Sequence, residues 1–231
     1  LATFLYIDTA GEKAMVAISN DNIVLALEVN EMTNTHASFV QVAIDKILKQ
    51  VGIAIQELNA VVVTMGPGSY TGLRVGLSSA KGIAYAINKP IIGISTLALL
   101  AHHAIQNSPL IASENGIQIF SMIDAKRMEV FGAIYKPDFS VILPEQAIIL
   151  DIPFLTNQLD KGPLLCIGSG AAKTNTLFSN EHLHCIESQY NMADMTSIAL
   201  EKWAQNQFES TAYASPTYLK EFYQASPKTT I

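Results

Sequence analysis

The stretch Ala60–Asn88, AVVVTMGPGSYTGLRVGLSSAKGIAYAIN, constrains this chain more than any other. Ala60–Thr64 is a short apolar run rich in β-branched residues and reads as a buried strand. The run breaks at Gly66-Pro67-Gly68-Ser69 and resumes with helical periodicity. Ser69 or Thr71 is placed to cap that helix, whose first free amides would point back over the glycines. Strand, glycine turn and helix N-terminus together form a seat for an anion such as phosphate. A tight turn with no ligand is the competing reading.

The helix carries more information than its cap. Between Tyr70 and Asn88 the charged residues are Arg74 and Lys81. Gly72, Gly76, Ala80 and Ala84 recur every fourth residue as one stripe of very small side chains, with Ser78, Gly82 and Ala86 as a second stripe beside it. Leu73, Leu77 and Ile83 supply bulk. Glycine inside a helix costs roughly 1 kcal/mol against alanine, so these glycines predict close packing that offsets the cost. A helix this poor in charge is expected to be covered on more than one side. One cover is a sheet; the other is a helix from this chain or another.

The chain has 231 residues, enough for one large domain or two modest ones. Charged residues make up only 15% of it, against the usual ~25%, which suggests surface hidden in a complex. A net charge of −6 and the lack of any Lys/Arg run argue against autonomous nucleic-acid binding, although a partner could supply the cations. No apolar stretch reaches the ~20 residues needed to span a membrane. The opening LATFLYIDTA carries no basic leader or cleavage site and reads as a strand. Cys166 and Cys185 lie in or beside apolar segments and are expected to be buried, reduced thiols of a cytosolic protein.

Thr3–Ile7, Met15–Ser19 and Ile23–Val29 read as strands joined by short turns, hence antiparallel hairpins. Asp8 ends the first, where a carboxylate could face a metal–phosphate site or simply close a turn. Helical periodicity runs from His36 to Val51, with Val40, Ala43, Ile44, Ile47, Leu48 and Val51 on its core face. After the strand–turn–helix of 60–88 comes a strand at Ile91–Ile94. The order β-β-β-α-β-α-β is that of the ribonuclease H-like half-domain of actin-like ATPases and sugar kinases, a fold-level inference only. Ser95 caps a helix through Ala104, with His102 and His103 as a pair near solvent at its end. Asn107–Asn115 is the candidate hinge. A second set of strands follows at Ile117–Ile123, Glu129–Tyr135, Ala147–Leu150 and Leu164–Ile167, with Gly168-Ser169-Gly170 leading to a short helix through Phe178. Met195–Phe208 is an amphipathic helix capped by Asp194, with Trp203 inward. Ser215–Ile231 reads as irregular, with Pro216–Leu219 extended against the body. The fold class is therefore α/β with two ribonuclease H-like (actin-like ATPase) lobes. The first is 1–106; the second, 107–231, is smaller and degenerate, and its C-terminal helix near 193–209 is placed to pack back on the first.

Several enzyme chemistries fail on spacing. Arg74 and Lys81 do not complete a Walker loop after Gly66–Gly72. Ser69 directly follows Gly68, so no hydrolase elbow forms. His182 and His184 bring no third or fourth metal ligand. Asp8-Thr9-Ala10-Gly11 is a thin version of an actin-like phosphate turn. Its second-lobe counterpart, Asp124-Ala125-Lys126-Arg127, has no glycine to let a phosphate approach.

Three groups of residues carry a family resemblance. Met65-Gly66-Pro67-Gly68-Ser69-Tyr70-Thr71-Gly72-Leu73-Arg74-Val75-Gly76, then Ala80-Lys81-Gly82 and Gly93-Ile94-Ser95-Thr96-Leu97, closely resemble the TsaB (YeaZ) family. Ile7-Asp8-Thr9, Asp124–Phe131 and Pro216–Lys220 fit the same family, so the resemblance spans essentially the whole chain. It implies an actin-like protein of the bacterial cytoplasm that serves the attachment of a threonylcarbamoyl group to the adenosine beside the tRNA anticodon. The family's catalytic relative, TsaD, holds a metal through a His-x3-His pair, whose positions fall here on Thr96 and Leu100. Neither replaces histidine, so the resemblance implies no metal and no catalytic residue, and it weakens the peptidase label (glycoprotease family M22) attached to the superfamily. It implies docking on TsaD, or on a second copy, through helices 36–51 and 70–88, with Val40, Ile44, Ile47, Gly72, Leu73, Gly76, Ala80 and Ala84 at the interface. On that reading Gly76→Leu or Ala80→Glu blocks docking without unfolding the lobe. The small ATPase TsaE is a further expected partner, and tRNA is reached only through the complex. No cofactor is required; ATP or ADP would bind weakly or only within the complex. Asp8, Gly66, Gly68, Ser69 and Thr71 are the candidates for a phosphate-facing turn. An actin-like ATPase or kinase is the alternative, and a peptidase, with no nucleophile identifiable in the sequence, the weaker one.

Overall fold

The computed structural model describes residues 1–32 and 36–220. Strands β1 (Thr3–Asp8), β2 (Ala14–Asn20) and β3 (Ile23–Asn30) form consecutive antiparallel hairpins across their short turns. Next come α1 (His36–Val51), β4 (Ala60–Gly66), α2 (Tyr70–Ile87), β5 (Ile91–Ser95), α3 (Thr96–Asn107) and one helical turn, α4 (Leu110–Ser113). β4 lies parallel to β1, and β5 parallel to β4, giving the order β3-β2-β1-β4-β5. Every residue of β4 is buried, which is why its sequence is a continuous apolar run rather than an alternating one.

The second half repeats the scheme. β6 (Gln118–Asp124), β7 (Glu129–Tyr135) and β8 (Val141–Ile149) are antiparallel; α5 (Ile152–Leu159), β9 (Leu164–Ile167), α6 (Ala172–Leu177) and β10 (Leu183–Ile186) follow as parallel crossovers. The sheet order β10-β9-β6-β7-β8 is the first lobe's order read for equivalent strands, and α7 (Met192–Ala204) closes the series. The chain is thus an α/β protein of two ribonuclease H-like lobes, the second built from shorter crossover elements.

Apolar side chains set the layers. α1 and α2 cover one face of the first sheet, with Val40, Ile44, Ile47, Leu77 and Ala80 against Leu5, Ile7, Val61 and Val63. The opposite face, with Phe4, Tyr6 and Val62, takes Met195 and Ile198 of α7. α3 places Leu97, Leu100, Ala101 and Ala104 against Ile119, Ala133, Leu165 and Ile167 of the second sheet. Leu99 of α3 joins the α7 side. α3 and α7 therefore form a middle layer shared by both lobes, and Leu155 of α5 helps cover the far face of the second sheet.

Several expectations need correction. β8 begins well before Ala147 and carries Pro144; as an edge strand it tolerates a residue without an amide proton. α5 was not anticipated, although Asp151 caps it by accepting from the Phe154 amide at 2.7 Å and Pro153 stands in its first turn. α7 starts before Met195 because Asn191, not Asp194, is the cap; Asp194 lies inside the helix and reaches back to the Asn191 amide. The helix ends at Ala204 rather than Phe208. The expected hinge at Asn107–Asn115 contains α4, and its Glu114 lies 2.6 Å from His184, which β10 carries. Cys166 is buried but Cys185, its partner in the β9–β10 register, is only half-buried. His102 and His103 are not a solvated pair: each side chain is 15% exposed, and their Nδ1 atoms reach the two oxygens of Asp194 at 3.0 and 2.8 Å. The segment around Thr217 lies against the body, its amide donating to the Met65 carbonyl at 2.8 Å. The rest of the expected tail, 221–231, falls outside the described residues.

Asp151→Ala removes the cap of α5 and is expected to lower stability by about 1 kcal/mol in urea unfolding, with Asp151→Ser close to the parent.

Candidate functional site

β1, β4 and β5 end at one edge of the first sheet, the place where open α/β sheets hold ligands. Asp8, at the end of β1, is 2% exposed. Its Oδ1 accepts from the Ala10 amide at 3.0 Å and the Thr64 hydroxyl at 2.8 Å, and its Oδ2 accepts from the Tyr190 hydroxyl at 2.8 Å. Burial pushes this carboxyl above its ordinary value; the three hydrogen bonds and the charge of His36 offset only part of that.

The glycine turn closes on the same place. The Ser69 amide donates to the Ala10 carbonyl at 2.7 Å, and a Cβ at Gly68 would overlap that carbonyl. Gly66 has φ 104°, a conformation that favours glycine, and the Thr217 carbonyl lies over it. Ser69 Oγ accepts from the Gly72 amide at 3.2 Å and so caps α2, as expected of one of the two candidates. Asp8 and Gly66 therefore face protein, whereas Ser69 and Thr71 face solvent and Gly68 lies between. The Thr9-Ala10 turn packs against the glycine turn, its Ala10 carbonyl lying at Gly68 and Ser69.

The second lobe repeats the closure. Gly168 and Gly170 pack on Met122 near the end of β6, and the Gly170 amide donates to the Met122 carbonyl at 3.3 Å. Asp124 accepts from Lys173 Nζ and from the Lys126 amide, both at 2.6 Å. The Lys173 hydrogen bond in particular holds its carboxyl below the ordinary value despite some burial. Lys126 and Arg127 turn outward at the hairpin tip, and Lys220 pairs with Glu129 beside it.

The helix face requires a larger correction. Val40, Ile44, Ile47, Gly72, Leu73, Gly76, Ala80 and Ala84 are all buried within the chain itself. They face the first sheet, not a partner. The reason is the small stripe: Thr9 Oγ1 donates to the Gly72 carbonyl at 2.7 Å, and a Cβ at Gly72 or Gly76 would overlap Thr9. Gly76→Leu and Ala80→Glu would consequently disrupt the core instead of a docking surface. The exposed stripe is the second one. Ser78, Gly82 and Ala86 face solvent, and nothing approaches within 4 Å of a Cβ built at Gly82. Thr71, Val75, Ser78, Gly82 and Tyr85 follow the 4-3-4-3 spacing of a helix–helix seam. Tyr85 is 83% exposed, and Val42 on α1 is 69% exposed. Gln41 Nε2 donates to Ser79 Oγ at 3.0 Å, joining the two helices below this surface.

The positions matched to a metal pair do not suit one. Thr96 is buried at the start of α3, and Leu100 is part of the core between the lobes. A hydroxyl and an alkyl group cannot act as the imidazole ligands of that pair. Among the described residues no group of three or more His, Cys, Asp or Glu side chains is arranged to hold a metal ion.

The architecture defines a class, the two-lobed ribonuclease H-like proteins of actin-like ATPase fold. A glucomannokinase from Arthrobacter that uses inorganic polyphosphate or ATP shares this fold at TM-score 0.51 and 9% identity, covering 89% of this chain and 100% of the kinase chain. A Pseudomonas aeruginosa protein with similarity to the peptidase YEAZ superposes at TM-score 0.78 with 22% identity, over 95% of this chain and 100% of its own. Residues 29–148, just over half of the chain, match the family model "TsaD: tRNA N6-adenosine threonylcarbamoyltransferase". The Escherichia coli tRNA threonylcarbamoyladenosine biosynthesis protein TsaB is 28% identical over 223 residues, 94% of each chain. The chain belongs to the TsaD family, on its TsaB (YeaZ) side.

Two outcomes check this geometry. Gly72→Ala is expected to cost about 3 kcal/mol or more in urea unfolding, because the new methyl meets backbone; Gly82→Ala, on an open helix surface, is expected to gain about 0.5–1 kcal/mol. For Asp8, the folded value lies above the unfolded one, so its contribution favours folding at low pH and is lost as pH rises through the folded value. The melting temperature of Asp8→Asn relative to the parent should therefore increase from acid to neutral pH.

Proposed function

We propose that this chain is a subunit of the cytoplasmic machinery for N6-threonylcarbamoyladenosine in tRNA, non-catalytic in the threonylcarbamoyl transfer, and that it acts by docking on a TsaD partner through the outer surface of α1 and α2. Family membership supports the pathway. The observation that carries the docking role is the exposed row Ser78, Gly82 and Tyr85, whose small members let a second helix backbone approach closely. α2 stands close to its sheet through one small stripe and offers the other outward. The transfer chemistry then belongs to TsaD, in keeping with Thr96 and Leu100 at the metal positions. TsaE joins the assembled pair, and tRNA is bound by the complex, in line with a net charge of −6 and no basic run on this subunit.

A second copy of the chain would use the same outer surface, so the homodimer and the TsaD pair exclude one another. Nucleotide turnover is not assigned to the chain alone, since Asp8 is enclosed by Thr64, Tyr190 and the Thr9-Ala10 turn. Any ATP or ADP would be held weakly or at a surface completed by partners. Among the described residues no helix is long and apolar enough to cross a membrane.

Reconstitution of tRNA modification with TsaD and TsaE, with this chain added or omitted, tests the reading. Gly82→Glu combined with Tyr85→Glu is expected to keep the parent's melting temperature, to weaken association with TsaD at least 100-fold in calorimetric titration, and to reduce modification to the level without the chain. Unchanged association would remove the docking surface from consideration, and modification that is indifferent to the chain would remove the role itself.

A further inference from the structure

The connection between β10 and α7 brings a serine to the histidines already described. His103 Nε2 lies 3.1 Å from Ser188 Oγ, while His103 Nδ1 lies 2.8 Å from Asp194 Oδ2. Asp194 is 3% exposed, His103 is 15% exposed at its side chain, and Ser188 is half-buried. Ser188 and Asp194 stand six residues apart in one stretch, and α3 brings His103 to them from a remote part of the sequence, which is why sequence spacing gave no sign of it.

The proton positions follow from the partners. Oδ1 of Asp194 accepts from His102 Nδ1 at 3.0 Å, and Oδ2 accepts from His103 Nδ1 and from the Asn191 amide at 2.9 Å. Burial alone would raise the Asp194 carboxyl, but hydrogen bonds from His102, the Asn191 amide and His103 outweigh it and hold the group below its ordinary value. An ionised carboxylate only accepts, so each histidine presents a protonated Nδ1 to it. In the neutral imidazole of His103 the proton on Nδ1 leaves Nε2 bare, and Ser188 must be the donor to it. Hydroxyl, imidazole and carboxylate are thus joined in the order, and through the ring nitrogens, that convert a serine into a nucleophile.

We infer that Ser188, with His103 as its base and Asp194 as the positioning residue, forms an acyl-accepting site that takes uncharged carboxylic esters. Glu187, the residue before Ser188, is exposed and Asp194 lies behind the imidazole, and their negative charge disfavours anionic acyl donors. In the first step a bond forms from Ser188 Oγ to the ester carbonyl carbon as the hydroxyl proton passes to His103 Nε2. The carbonyl carbon then releases the alcohol oxygen, which takes that proton. In the second step water attacks the acyl-serine and gives a proton to Nε2. The carbon–Oγ bond breaks, the proton returns to Ser188, and a carboxylic acid leaves. This site is independent of the docking surface and of any role in tRNA modification.

The test treats the full chain with p-nitrophenyl acetate and follows p-nitrophenol release, intact mass and the labelled peptide. One acetyl group is expected on Ser188, absent in Ser188→Ala and formed about 100-fold more slowly in His103→Gln. Exposed Ser169 and Ser210 in the same molecule are internal controls that need no variant. Labelling of Ser188 no faster than of these two, or at an unchanged rate in a folded His103→Gln, would overturn the assignment.

Discussion

The contact between α2 and the end of β1 determines much of the rest. Because Gly72 and Gly76 have no side chain, the Thr9 hydroxyl reaches the Gly72 carbonyl and the helix backbone settles directly on the turn. A helix seated this deeply packs directly against the turn at the end of β1. It also turns its opposite surface outward, with Gly82 and Tyr85 uncovered among the described residues. A tight inner contact and an uncovered outer stripe are two effects of one close approach.

The middle layer is the second determinant. α3 and α7 each serve a core beyond their own sheet, so neither lobe has a complete interior alone. Polar contacts follow the same seam. Tyr190 reaches across to Asp8, and Asp194 gathers His102 and His103. Ser95, the cap of α3, hydrogen-bonds Glu145 of β8, whose carboxyl burial pushes upward. Such groups are costly to bury unpaired, and their mutual satisfaction fixes the angle between the lobes.

Elements governed by local chemistry were legible in the sequence. The His36–Val51 helix, the Ser69 and Ser95 caps and the paired hairpins follow from periodicity and turn residues, and the structure has them. Which stripe of α2 met the sheet was not legible. Both stripes consist of small residues, and only the position of Thr9, remote in sequence, decides between them. Asp8 posed the same difficulty, because Thr64 and Tyr190 that occupy it come from other elements. α5 is a different case: Asp151 and Pro153 announced it locally, but a strand interrupted by Pro144 obscured where the preceding segment ended. The Ser188–His103–Asp194 arrangement had no signature, since His103 meets the other two only through the tertiary fold.

The segment after α7 has a mechanical consequence. It runs antiparallel to β5 at Glu209 and Ile91, takes Lys81 on the carbonyls of Ala212 and Ala214, crosses Met65 at Thr217, and reaches the second lobe where Lys220 meets Glu129. A clamshell motion of the two halves would have to tear this stitching from both sides. The segment is accordingly a strap that ties the second lobe back to the first through Thr217 and Lys220.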